Sequence, residues 1–228
     1  MKVKPPKSGR PRRRTLSIAI YAGAWTLLTL GMPLWSLLGV AVGLCRRRSF
    51  IVLRLIVFGW FYFGFELVAL SLVALLFLSQ RNAAARERRL YALQAWWASV
   101  NLRVASAVLG LTIHVEGAEL AVPGPVILLV RHASILDTLI PCTYVQRPYR
   151  FRVRYVLKQE LLFDPCLDIV GNALPNYFVD RSGNTQRELD GVRALAADLG
   201  SDGLLMFPEG TRFSSKKRER ALDRLQSE

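Results

Sequence analysis

Pro125-Val126-Ile127-Leu128-Leu129-Val130-Arg131-His132-Ala133-Ser134-Ile135-Leu136-Asp137 is the stretch on which the fold turns. Its first six residues form a short apolar run of the kind that makes a buried strand, and Ser134 is a residue type that caps a helix starting at Ile135. The reading is strand, turn, helix. A histidine five residues before an aspartate cannot share a helix face with it, because the offset is about 140° after one full turn. The two meet only if His132 ends the strand or its loop and Asp137 lies in the first helical turn. So placed, they suit proton transfer: imidazole exchanges a proton near neutral pH, and a carboxylate on one ring nitrogen fixes its tautomer and steadies the imidazolium.

With two histidines in 228 residues, this spacing arises by chance in roughly 7 chains in 100, so its weight comes from its neighbours. Gly203-Leu204-Leu205-Met206-Phe207 reads as a second buried strand, stopped by Pro208 and followed by Glu209 and Gly210 in a turn. Arg212 then offers a planar fork for phosphate, Thr211 a hydroxyl, and Gly210 a close backbone approach. Tyr177-Phe178-Val179-Asp180-Arg181 repeats the design, a short apolar strand closing on a charged pair.

These three segments resemble the glycerolipid acyltransferases typified by 1-acylglycerol-3-phosphate acyltransferase. The first family block, histidine, four residues and aspartate, corresponds to His132 and Asp137. The second is Phe178-Val179-Asp180-Arg181, and the third, Phe207-Pro208-Glu209-Gly210-Thr211-Arg212, is a complete match. Two positions depart from the family pattern: Pro175 replaces a common glycine, and Arg131 a common asparagine. The resemblance covers residues 90 to 215 or so. A fourth block, a hydrophobic strand ending in proline, is expected after the third, so the sequence reads as possibly truncated at its C-terminal end.

The resemblance implies His132 as general base oriented by Asp137, with Phe178, Arg181, Glu209, Gly210, Thr211 and Arg212 forming the acceptor site. It implies acyl transfer from a coenzyme A or acyl carrier protein thioester, used as co-substrate with no bound cofactor, to a lysophospholipid hydroxyl. Lysophosphatidic acid going to phosphatidic acid in phospholipid biosynthesis is the first acceptor expected; a lyso-ornithine lipid or a non-catalytic lipid-binding role are the alternatives. No serine or cysteine has a base at obvious spacing, so no covalent enzyme intermediate is expected.

Outside the blocks, hydropathy divides the chain into a basic arm (1–14), an apolar segment (15–80) and a remainder (81–228), which the resemblance implies is the acyltransferase domain and the flanking charges place in the cytoplasm. No charge interrupts Thr15 to Cys45, and only Glu66 interrupts Leu55 to Gln80. Both stretches exceed the roughly 20 apolar residues that cross a bilayer, which predicts a membrane helix pair. Gly31-Met32-Pro33 interrupts the first, either kinking it or breaking it into a re-entrant hairpin. Glu66 is expected to pack against another helix, neutralised by protonation. Arginines and lysines flank the pair on both sides, which favours both ends in the cytoplasm, although Arg46-Arg47-Arg48 sit between the spans.

The formal net charge of +14 is concentrated in the arm: Lys2, Lys4, Lys7, Arg10, Arg12, Arg13 and Arg14. Beside a membrane segment, anionic lipid is its expected partner, at about 1 kcal/mol per residue. No aromatic-interleaved nucleic-acid motif accompanies it, so no nucleic-acid partner is expected. Cys45, Cys142 and Cys166 are scattered and suggest neither a disulfide framework nor a metal cluster.

The remaining elements complete an α/β pattern. Arg86 to Leu109 reads as an amphipathic helix whose Trp96 and Trp97 suit the headgroup level. Leu111 to Val115 alternates as a strand with His114 on its polar face, Phe151 to Tyr155 alternates as another, and Thr185 to Leu199 has helical spacing. The expected fold is α/β, a mainly parallel sheet flanked by helices, with the blocks at strand ends.

Overall fold

The computed structural model describes residues 10–45, 50–132, 134–180, 182, 184–208, 214–215, 218–220 and 222–223. Four helices come first: α1 (Arg10–Leu30), α2 (Met32–Cys45), α3 (Ile51–Ser79) and α4 (Ala83–Leu109). Then follow β1 (Val126–Leu129), a 3-10 turn (Ile135–Thr138), a π-helical turn (Cys142–Gln146) running into the single turn α5 (Arg147–Tyr149), and β2 (Val153–Lys158). A 3-10 turn (Gln159–Phe163), α6 (Pro165–Ala173), β3 (Tyr177–Val179), α7 (Thr185–Ala196) and β4 (Gly203–Met206) complete the order.

The four strands form one sheet in the order β1-β4-β2-β3, and every pairing is parallel. Val126 to Leu129 lie opposite Gly203 to Met206, and Val153 to Tyr155 pair with Gly203 to Leu205 on the other side. Val156 to Lys158 pair with Tyr177 to Val179. Parallel strands need crossovers, which α6 and α7 supply, so the strands all end on the same edge of the sheet. The central β4 is covered on both faces, Leu204 and Leu205 both being buried, which is why its sequence is a continuous apolar run. β2 alternates instead: Val153, Tyr155 and Leu157 face the core, while Arg154 pairs with Asp202 at 3.0 Å.

The core joins one sheet face to α4 and the segment after the first block. Val153, Tyr155, Leu157, Phe178 and Leu205 pack with Ala98, Leu102, Leu139 and Cys142. Each such side chain contributes about 1.5–3 kcal/mol by leaving water. On β3, Gly191 of α7 is required because the Tyr177 ring fills the space where its Cβ would stand.

Leu111 to Val115, read as a strand from its alternation, is coil: Gly110 caps α4 in the left-handed region and the chain leaves along the surface with His114 exposed. Only Ile113 packs on the core, so the alternation records a single inward contact rather than a ladder. The tryptophans of α4 pack on the preceding helix. Trp97 packs edge-on against Tyr62 and Trp96 against Phe65, both of α3.

Among the described residues one helix, α3, is long and apolar enough to cross a membrane; the α1–α2 pair, bent by 71° after Leu30, makes a second only if taken as one broken span. The helix also begins earlier than expected, so Arg10 to Arg14 of the basic arm are the first turns of α1. Along α3 runs α4, antiparallel to it: Arg86 lies 5.2 Å from the Phe77 ring at one end, and Arg54 sits beside Gly110 at the other. Val73 packs with Leu90 of α4 and with Val170 and Leu174. The opposite side of α3 remains apolar and exposed at Val68, Leu72, Leu75 and Leu78.

Candidate active site

β1 delivers His132 to the C-terminal edge of the sheet, three residues past the end of the strand at Leu129. β4 lies beside it and delivers Phe207 to the same edge. The two rings are in contact, centroids 4.7 Å apart and tilted by 44°, so the first and third sequence blocks touch through their leading aromatic side chains.

Behind the histidine, Ser134 and Asp137 form a reciprocal capping box on the turn Ile135–Thr138. Ser134 Oγ accepts from the Leu136 amide at 3.1 Å, and Asp137 Oδ2 accepts from the Ser134 amide at 2.6 Å. The same Oδ2 lies 3.8 Å from His132 Nδ1. This is ion-pair range and beyond a hydrogen bond, a distance typical of a site without substrate, where catalytic bonds tighten on binding. The sequence anticipated a helix here; the 3-10 turn found instead is tighter, and it brings Asp137 back toward the strand end. Both side chains are mostly covered, at 14% and 18% exposure, which keeps their interaction out of bulk water.

Phe178 is part of the core rather than the surface of the edge; the residues after it form the loop. Asp180 Oδ1 accepts from both the amide and the hydroxyl of Ser182, at 2.9 and 2.7 Å. Glu188, in the first turn of α7, holds this loop from below: its Oε2 accepts from the Asp180 amide at 3.1 Å and from Tyr177 OH at 3.0 Å. Burial, reinforced by that carboxylate, raises the Tyr177 pKa, so the phenol stays a donor. Asn184 caps α7 through the amides of Gln186 and Arg187. Neither Glu188 nor Asn184 was singled out from sequence, although Asn184-Thr185-Gln186-Arg187-Glu188 carries the ordinary signature of a helix start. Arg181, Glu209, Gly210, Thr211 and Arg212 lie outside the described residues. Of their described neighbours, Asp180 follows β3 and Phe207 follows β4.

The cysteines offer no alternative nucleophile in the domain. Cys142 is buried against Tyr155 OH at 2.7 Å, and burial pushes its pKa up to about 12. Cys166 is buried too and is also raised by burial. Thiols so placed stay protonated and unreactive. Among the described residues no group of three or more His, Cys, Asp or Glu side chains is placed to hold a metal ion.

A parallel sheet whose C-terminal edge gathers a covered histidine, a carboxylate behind it and two further loops defines an α/β enzyme domain. Residues 112–224 match the family model described as Acyltransferase, which identifies this segment as an acyltransferase domain, the glycerolipid family that the three blocks resemble. No curated protein and no solved structure matches the chain.

Proposed function

We propose that the protein transfers a fatty acyl group from an acyl thioester to the hydroxyl of a lysophospholipid, with 1-acylglycerol 3-phosphate as acceptor and phosphatidic acid as product. The observation that carries this reading is the contact of His132 with Phe207, in front of Asp137. It supports the reading because the imidazole of His132 touches the residue that begins the third sequence block. Nδ1 faces the carboxylate, so Nε2 is the atom turned toward substrate. It takes the hydroxyl proton as that oxygen attacks the thioester carbonyl carbon. The tetrahedral adduct collapses, the carbon–sulfur bond breaks, and the imidazolium returns its proton to the thiolate. Asp137 orients the ring and stabilises the imidazolium. Arg181, Glu209, Gly210, Thr211 and Arg212 hold the acceptor's glycerol phosphate, and coenzyme A or acyl carrier protein carries the donor.

The catalytic domain faces the cytoplasm in this reading, and the exposed apolar side chains of α1, α2 and α3 meet the lipid. The decisive experiment supplies the purified protein with lysophosphatidic acid or other lysolipids and each donor, beside His132→Ala. General-base help is worth about 10²–10⁴ in rate, so the variant should lose that factor in turnover while binding lipid as before. Near wild-type acylation by His132→Ala would refute the assignment. Preference for a lysolipid lacking a phosphate monoester would move the reading to that acceptor.

A further inference from the structure

The arginine run at the start of α1 was expected to meet anionic lipid, yet two of its members are bound to a buried carboxylate of the protein. Asp168 of α6 is fully buried, and Arg13 donates to its Oδ2 from Nε at 3.2 Å and Nη2 at 2.8 Å. Arg14 donates from Nη2 to Oδ1 and to the main-chain oxygen of the same residue, both at 3.2 Å. Asn172 completes the shell with a bond of 3.0 Å to Oδ1. Two guanidinium groups thus share one carboxylate. The pair carries a net positive charge that the protein has fixed in place, and Nη1 of Arg13 has no hydrogen-bond partner among the described residues.

The two arginines differ in their surroundings. Arg13 lines an open cleft of about 340 Å³ with Gln159, Glu160, Leu162, Phe163, Asp180 and Ser182. Gln159 to Phe163 follow β2, and Asp180 and Ser182 follow β3 on either side of Arg181 in the chain. Lys158 and Val179 are register partners at the ends of these strands, so the cleft opens on the sheet edge that carries His132. β1 and β3 are three strand spacings apart, about 14 Å, a gap that a histidine, a glycerol phosphate and an arginine bridge between them. The acidic residues of the cleft leave that cation available. Asp180 Oδ1 is engaged by Ser182, and Glu160 is turned out to solvent. Phe163, 44% exposed, supplies an apolar lip next to the helix that borders the lipid.

We infer that Arg13 is a specificity-determining residue of the acceptor site, a guanidinium preset by Asp168 to bind the phosphate monoester of the lysolipid as it enters between α1 and the loop around Arg181. The inference rests on the acceptor proposed above. It assigns to the membrane-proximal helix, which precedes the 112–224 domain, a direct share in recognising substrate. A guanidinium already held on one side by a carboxylate loses little freedom on meeting a second anion, so its charge-assisted bonds to phosphate are strong for their number.

Arg14 provides the control, since it holds the same carboxylate but does not line the cleft. The full chain in neutral detergent micelles is titrated calorimetrically with lysophosphatidic acid, glycerol 3-phosphate, inorganic phosphate and a monoacylglycerol, and acylation is followed in parallel. Arg13→Ala should weaken lysophosphatidic acid binding and raise its KM about tenfold, with kcat and the thioester KM nearly unchanged; Arg14→Ala should change these less than about twofold. Monoacylglycerol should be indifferent to both substitutions. Glycerol 3-phosphate and inorganic phosphate should bind far more weakly than the lysolipid; equal binding would assign the site to free phosphate and overturn the lipid assignment. Should Arg13→Ala fail to fold, Arg13→Lys, which keeps a cation beside Asp168 but lacks the planar fork for phosphate, is compared with Arg14→Lys, and the rise in KM for lysophosphatidic acid is again expected at position 13 alone. Equal losses in Arg13→Ala and Arg14→Ala, or loss confined to stability, would show a purely structural role and overturn the inference. If wild type binds lysophosphatidic acid through Arg13 yet transfers no acyl group, the catalytic reading fails while this one stands.

Discussion

His132 and Phe207 face each other across the ends of neighbouring parallel strands, their ring centroids 4.7 Å apart. Phe207 therefore does two things at once: it shields one face of the imidazole from water and it leads the chain from β4 into the third sequence block. Shortening it separates these roles. Phe207→Leu should keep most activity, because an apolar side chain still covers the ring. Phe207→Ala should lower kcat by about tenfold or more, in keeping with the sensitivity of catalysis to misplacement of about 1 Å. The two variants are compared by steady-state acylation after their folding has been checked by circular dichroism.

The position of Asp137 depends on Ser134 through two separable bonds. Ser134→Ala removes the Oγ bond to Leu136 and should cost about 1 kcal/mol as a lost cap. Ser134→Pro removes the amide that holds Asp137 Oδ2 at 2.6 Å. If the amide keeps the carboxylate oriented for His132, the proline variant loses kcat well beyond the alanine variant, with the acceptor KM little changed. Equal activity in the two would show that Asp137 is oriented by other means.

Much of this site was legible because its parts are local. A strand of four to six apolar residues closing on polar ones is visible in the order of residues, and the parallel sheet follows from strands separated by helical spacing. The capping box lies within four residues. What could not be read was long-range. Pro165–Ala173 is too short for its periodicity to declare it as α6, and its partners stand far off in the chain: Arg13 and Arg14 on Asp168, Tyr21 and Tyr62 on Asp164, Glu66 on Cys166. The arm read as wholly lipid-facing because sequence shows its charges but not the buried carboxylate that receives two of them. The contacts of Trp96 and Trp97 were hidden for the same reason, their partners on α3 being more than thirty residues away.

Glu66 shows how firmly the apolar helix is tied to the domain. Its Oε1 accepts from the Cys166 amide at 3.1 Å, in the first turn of α6, so the carboxylate acts as a cap supplied from another helix. Glu66→Gln keeps an oxygen for that bond and should unfold within about 1 kcal/mol of wild type. Glu66→Leu leaves a buried amide unsatisfied, at a cost of about 1–3 kcal/mol. Thermal unfolding in a single detergent measures the difference; a leucine variant as stable as wild type would show that the bond contributes nothing.

The Tyr177 ring occupies the space above Gly191, which places β3, and with it the Asp180–Ser182 loop, at a fixed height over α7. A methyl group there forces the ring or the helix aside. Overpacking of this kind typically costs about 1–3 kcal/mol, so Gly191→Ala should lower the unfolding midpoint and, because the loop leaves from the same strand, raise the acceptor KM. Tyr177→Phe is the contrasting change. It keeps the ring but removes the donor to Glu188, so it should loosen the loop with little loss of packing.

The packing of α3 also bears on how this helix would sit in a bilayer. A helix of 29 residues is about 43 Å long and would cross a bilayer, but α4 lies along it from Arg86 to Gly110 and carries the exposed Arg88, Arg89 and Arg103. Burying such arginines in lipid costs at least about 2.5–3.5 kcal/mol each on insertion scales. The lower-energy arrangement is for α3 to lie in one leaflet, with Leu72, Leu75 and Leu78 in the acyl region and α4 toward water. In a Cys45→Ser background, single cysteines at Ile51 and Ser79 should then both react with an impermeant maleimide from the same side of sealed vesicles. A crossing helix would expose one and protect the other.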